Sequence, residues 1–167
     1  FHVNDVGVFF GKENKTVSDP YFEGKGPERT GCTFCGGCMV GCRVGAKNTL
    51  DKNYLYLAEQ LGVTIIPETK VLDVKPSFES GYELRTKRIT KLFSSIKIFH
   101  AKNVIFSGGV IGFVRLLLQC KNRGSLPKLS DQLGNFVRTN SEALVGVKAK
   151  NKDIDYSKGI AITSGIY

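Results

Sequence analysis

The sequence predicts an α/β fold, on three observations. An apolar face of helical period follows residue 48. A series of short, β-branched segments runs from residue 63 to 99. A segment apolar on both faces, Asn103-Val104-Ile105-Phe106-Ser107, ends in Gly108-Gly109 before a second helical segment. In chain order, Val3, Val6, Val8, Phe9 and Phe10 suggest one short strand, and Gly24, Gly26 and Pro27 mark a loop. Residues 32–47 form a Cys- and Gly-rich turn. A helix capped by Asn48 or Thr49 then carries Leu50, Tyr54, Leu57, Ala58 and Leu61 on one face, and Gly62 stops it. Strands are expected over Val63–Ile66, Val71–Val74, Tyr82–Thr86 and Ile96–Phe99. The 103–107 segment reads as a buried parallel strand, and Val110–Cys120 as a helix with Val114, Leu117 and Leu118 on one side. A polar loop follows to residue 135. Ala143–Lys148 and Ile160–Thr163 read as later strands, the second within a strand-like stretch from Gly159 to Tyr167.

Composition narrows the function classes. In 167 residues, 41% are hydrophobic and 23% charged, a globular balance that excludes a disordered tail. The longest apolar stretch, Val104–Leu118, is broken by Gly108, Gly109, Gly112 and Arg115, so no transmembrane segment is expected. Neither end carries a recognisable leader or stop, and both are expected to lie inside a longer chain. The net charge of +9 raises nucleic acid as a partner. The densest basic run, Arg85-Thr86-Lys87-Arg88-Ile89-Thr90-Lys91, alternates instead as an exposed strand edge or turn would, and no nucleic-acid-binding motif accompanies it, so no nucleic-acid partner is expected. The five cysteines are an odd count, which favours a reducing, cytoplasmic compartment over a disulfide framework.

Two motifs carry chemical content. Ser107-Gly108-Gly109-Val110-Ile111-Gly112 stands between a strand and a helix, where a dinucleotide fold lets its backbone approach a cofactor. The spacing is S-x-G-x-x-G, without the first glycine of the usual fingerprint and without the acidic residue about 20 positions on. The alternative is a tight strand-to-helix turn. The second motif is Cys32-x2-Cys35-x2-Cys38-x3-Cys42, the spacing of bacterial ferredoxins, with Gly31, Gly36, Gly37 and Gly41 free to wrap a cluster. Arg43 stands where ferredoxins have proline, and no second run exists. An iron–sulfur cluster on Cys32, Cys35, Cys38 and Cys42, a zinc site and a purely structural turn all remain open at this point.

The stretch Cys32–Val74 resembles the middle of glucose–methanol–choline flavoprotein oxidoreductases of the cholesterol-oxidase-like branch, with a matching Lys-x-Thr-Leu-Asp-Lys-x-Tyr-Leu helix at Lys47–Leu55. The resemblance resumes over Val104–Gly134, through strand, glycine turn, helix and a Leu-Pro-x-Leu-Ser loop. It implies part of an FAD-binding dinucleotide fold with pieces of an antiparallel substrate domain. Residues 1–44 would be substrate domain, 45–135 FAD-binding domain and 136–167 a second substrate-domain segment. It implies FAD contacts at Val71, Ser107, Gly108 and Gly109. The implied activity is oxidation of a CH–OH group, in a sterol or other bulky apolar alcohol, with hydride transfer to flavin and with oxygen or a redox partner as electron acceptor. A ferredoxin-type electron-transfer module and an inactive binding protein on the same fold are the rival readings. Neither His2 nor His100 matches the family's catalytic position, so no catalytic residue is assigned.

Overall fold

The computed structural model describes residues 1–165; Ile166 and Tyr167, the end of the strand expected from Gly159, lie outside the described residues. The architecture is mixed α and β, and every pair of named strands is antiparallel. The chain forms two compact units, one of Phe1–Ile65 with the segment from Gly146 on, the other of Ile66–Val145. No helix among the described residues is long and apolar enough to cross a membrane.

In the first unit β1 (His2–Val3) pairs with the distant β7 (Ser164–Gly165), and β2 (Thr16–Val17) pairs with β3 (Arg29–Thr30). The expected strand from Val3 to Phe10 reduces to β1 and a single bridge from Val8 to Lys47. Polar groups organise the loops between these elements. The Asp19 carboxylate accepts N–H bonds from Tyr21 (3.0 Å), Phe22 (2.8 Å) and Gly26 (3.0 Å). Arg29 is fully buried. Its guanidinium donates to Asn48 Oδ1 (2.8 Å) and to the Lys52 carbonyl, and lies 5.5 Å from the centre of the Tyr21 ring.

The expected helix after residue 48 is interrupted. A 3-10 turn spans Leu50–Lys52, and α1 (Tyr54–Gln60) restarts at Asn53, whose side chain accepts the Tyr54 N–H. Leu57 and Ala58 of the anticipated face are half-buried, whereas Leu50, Tyr54 and Leu61 are exposed. Gly62 ends the helix with φ +89°, as its position suggested. Val63–Ile66 is not a strand: the Val63 N–H folds back onto the Ala58 carbonyl (3.0 Å), so the helix end consumes the start of the segment. Ile160–Thr163 is not a strand either; the pairing begins only after it, at β7.

In the second unit β4 (Thr69–Pro76), β5 (Tyr82–Arg88) and β6 (Ile96–Ala101) form a three-stranded meander with β5 in the centre. The three expected strands are all present and each is longer than its apolar core. The basic run from Arg85 to Lys91 therefore occupies a central strand and the turn after it, not a sheet edge. Helix α2 (Val110–Asn122) packs on β4. Val74 and Cys120 are both buried, and the Ser125 hydroxyl binds Asp73 Oδ2 at 2.8 Å. Arg123 donates to the Leu72 carbonyl at 2.9 Å. Leu72 is free for this because the register skips it between Val71 and Asp73, a β-bulge.

Residues 103–107 correct the expectation of a buried strand. The segment is unpaired among the described residues, with Val104 and Phe106 half-buried and Ile105 88% exposed. A segment apolar on both faces becomes a buried strand only where neighbouring strands pair with it, and no described strand does. Ala143–Lys148 is irregular and exposed for the same reason.

The seam between α2 and β4 yields a first expectation. Val74→Ala empties part of its centre and should lower unfolding free energy by about 2 kcal/mol. Chemical denaturation of the chain measures this, and an unchanged midpoint would mean the seam contributes nothing.

Candidate functional site

The second unit contains an open cavity of about 420 Å³ between β4 and the start of α2. Val71 of β4 lines it, as do Ser107 and Gly108 of the glycine turn and Gly112 of the first helical turn. Three of the four residues expected to contact a cofactor thus meet at one cavity. Gly109 does not line it but sets its shape, for its φ of +86° and ψ of 140° are open only to glycine at little cost, and they turn the chain into α2. Its carbonyl accepts the Phe113 N–H at 3.1 Å. No side chain caps the helix and no acidic residue stands in its first turn, so its first N–H groups keep their positive potential. A Cβ added at Gly108 or Gly112 would meet no protein atom within 4 Å, which leaves the backbone there open to a ligand.

The rest of the lining went unnoticed in the sequence. Lys70 and Arg115 bring positive charge, Gln119 a side-chain amide, and Phe113 and Leu116 apolar surface; no acidic side chain borders the cavity. Lys70 and Arg115 lie next to motif residues on the strand and one turn into the helix, and that spacing was their only signal. An apolar wall, two cations and an uncapped helix terminus suit an anionic ligand with a flat aromatic part, so these residues fit the adenosine end of a dinucleotide.

In the first unit Cys32, Cys35, Cys38 and Cys42 all border one small cavity, walled by Val8, Val44 and Ala46. The four are free thiols. The cavity has room of about 10 Å³, the space of a single water and far less than an iron–sulfur cube needs. Among the described residues no three His, Cys, Asp or Glu side chains are arranged to hold a metal ion. The backbone donates to two of the sulfurs: the Phe34 N–H to Cys32 Sγ (3.4 Å) and the Lys47 N–H to Cys42 Sγ (3.5 Å). As arranged, the run does not fit a cluster. Gly36 locks its bend, with φ +71° and a missing Cβ that would sit 1.6 Å from the Ser157 carbonyl oxygen.

Burial acts to raise the Cys42 pKa, but the amides of Lys47, Ala46, Gly45 and Val44 outweigh it and leave the thiol below its ordinary value. Cys120 is pushed the other way, by burial first and then by the Asp73 carboxylate beside it. Iodoacetamide should therefore alkylate Cys42 well before Cys120 near neutral pH, with Cys120 reacting only after denaturation. Peptide mapping by mass spectrometry reads the order, and equal labelling of both would contradict it.

No family model matches the chain. It is 49% identical over 177 aligned residues to a protein of Acinetobacter baumannii named cholesterol oxidase, covering all of this chain and 32% of that one. It is 47% identical over 170 residues to a Mycobacterium tuberculosis protein of the same name, covering 97% of this chain and 29% of the relative. The chain spans about a third of the length of these relatives. At this identity along its whole length, with the Lys47–Leu55 and Val104–Gly134 stretches included, the chain belongs to the cholesterol-oxidase-like family.

Proposed function

We propose that the chain is part of an FAD-dependent oxidoreductase acting on the CH–OH group of a sterol or another bulky apolar alcohol. The observation that carries this reading is the 47–49% identity, across essentially the whole chain, to proteins named cholesterol oxidase. The 420 Å³ cavity supports it, since Val71, Ser107 and Gly108, marked by the resemblance, line one site. Flavin, when bound, supplies the two-electron acceptor for the hydride leaving the carbinol carbon, and oxygen or a redox partner then takes the electrons. The residues of this chain bind and orient. Val71 and the Ser107-Gly108-Gly109 turn receive the adenosine, while Lys70 and Arg115 draw the negative charge of the diphosphate attached to it. The base that takes the hydroxyl proton is not assigned to any residue of this chain.

Residues 45–135 are assigned to the FAD-binding domain, with 1–44 and 136–167 in the substrate domain. The pairing of β1 with β7, and the Cys35–Gly159 bridge, support a chain that enters one unit twice. In the intact protein Gly109→Leu forces a branched side chain into a glycine-only conformation at the mouth of α2. Flavin per polypeptide, read from the visible spectrum after denaturation, should fall several-fold, and unchanged flavin content in a normally folded variant would sink the assignment.

The cavity shared by Cys32, Cys35, Cys38 and Cys42 favours a second reading, in which the run holds an iron–sulfur cluster and passes electrons from the flavin. Its small volume opposes that reading. Iron and acid-labile sulfide in the anaerobically purified intact protein, both lost in Cys32→Ala, would select it; absence of both leaves the run as a structural turn.

A further inference from the structure

The four thiols of the first unit are not equivalent. Cys32 is buried, Cys35 is exposed, and Cys38 and Cys42 lie between these extremes. All four line a space no larger than one water, so their sulfurs gather without room for a bulky group between them. Cys32 and Cys35 sit on braced backbone. The Gly36 N–H donates to the Gly159 carbonyl (2.9 Å), and the Gly159 N–H to the Phe34 carbonyl (2.7 Å). Phe34, between the two cysteines, is held at φ +52° and donates its N–H to Cys32 Sγ (3.4 Å). A disulfide needs Cα atoms about 4.4–6.8 Å apart and converging Cβ atoms, and a braced segment has little freedom to adjust toward that geometry.

Cys38 and Cys42 lie on curled backbone with more freedom. Cys38 is in the 3-10 turn Gly37–Met39, closed by the Val40 N–H on the Gly37 carbonyl (3.1 Å). Gly41, just before Cys42, has φ +108° and no atom within 4 Å of where a Cβ would stand, so the chain has room to move there. Lys47 holds both ends of this turn. Its N–H donates to Cys42 Sγ (3.5 Å) and its Nζ to the Cys38 carbonyl (2.9 Å). The span of a single lysine thus links the Cys42 sulfur to the Cys38 backbone. Met39 and Val40, between the two cysteines, are 73% and 91% exposed, so a small solute reaches the turn from solvent.

We infer that Cys38 and Cys42 form a redox-active dithiol that reacts with hydrogen peroxide and closes to a disulfide. Cys42 reacts first, since its sulfur already faces an amide donor that stabilises negative charge. Its thiolate attacks one peroxide oxygen: an S–O bond forms, the O–O bond breaks, and hydroxide leaves and takes up a proton. The Cys38 sulfur then gives up its proton and attacks the Cys42 sulfur. The S–S bond forms, the S–O bond breaks, and a second water leaves. Two thiols are oxidised and one peroxide is reduced to two waters. The inference does not depend on the sterol reading. It competes with the cluster reading, because sulfurs bound to iron are not free to pair.

The test treats the intact protein with a small excess of hydrogen peroxide, alkylates it with iodoacetamide under denaturing conditions, and maps its peptides by mass spectrometry without reduction. Cys38 and Cys42 should lose alkylation together, in a peptide lacking two hydrogens, and dithiothreitol should restore both thiols. Oxidation at Met39 adds oxygen and is told apart by mass. Cys120, which is buried, should be alkylated in full. Cys35→Ser should still close the bond. Cys38→Ser should not, and should leave on Cys42 a sulfenic acid that dimedone captures. The wild-type map decides the matter if a variant fails to fold. Three results would overturn the inference: Cys38 and Cys42 both alkylated after peroxide, a disulfide that pairs other cysteines or joins two copies of the chain, or iron and acid-labile sulfide that the intact protein holds and peroxide releases.

Discussion

The packing of α2 on β4 is the contact on which the candidate cofactor site depends. It has few parts. Val74 and Cys120 supply the buried apolar contact, Ser125 holds Asp73, and Arg123 reaches a carbonyl that the bulge at Leu72 releases from the ladder. The bulge has a second effect, since it offsets Val71 from the residues that follow it in β4. The helix end is thereby tied to the strand at residues 72–73, while the helix start, with its glycine turn, stays apart from residues 69–71. The cavity is the space so left. Oδ1 of Asp73 is buried without a hydrogen-bond partner, so the seam is not fully satisfied, and its polar part contributes orientation more than net stability.

The unit containing the cysteines relies on a different economy. Its buried side chains are Arg29, Cys32 and Ala46, too little apolar surface to form a conventional core. A buried guanidinium is costly unless its donors are met. Asn48 and the Lys52 carbonyl meet one of its nitrogens, and the Tyr21 ring offers its face, while Nε and Nη1 have no hydrogen-bond partner. Arg29 thus joins β3, the Asn48 corner and the turn leading to α1, which are segments far apart in sequence. The Cys run is tied in by backbone in the same way, through the Gly36 N–H to the Gly159 carbonyl and the Gly159 N–H to the Phe34 carbonyl. Two of its sulfurs accept amide hydrogens, and the four surround a water-sized space.

Legibility in the sequence followed whether an element finds its partners within reach. The meander was readable because β4, β5 and β6 pair with sequence neighbours, and α2 because its glycine entry and apolar side are local signals. The segments 103–107 and 143–148 have equally strong β-branched character but no described strand beside them, so composition alone misled. Val63–Ile66 failed for a smaller reason: periodicity does not reveal that a helix end will capture Val63. At the site, Val71, Ser107 and Gly108 were found from a motif and a resemblance, and the structure brings them to one cavity. Lys70 and Arg115 were missed because an exposed cation carries no pattern, and only the cavity distinguishes them from lysines that merely keep the protein in solution.

Charge placement links the two features of the second unit. Lys70 belongs to both, lining the 420 Å³ cavity beside the glycine turn and a depression of about 250 Å³ shared with Lys87, Arg88 and Lys91. Its positive potential is therefore shared between the two regions. Neutralising Lys70 would lower the potential of both regions together, whereas Lys87 and Arg115 each border one region alone. Lys70 also stands directly opposite Lys87 across β4 and β5, a like-charge pair that costs stability. Negative charge arriving from outside the chain would offset that repulsion.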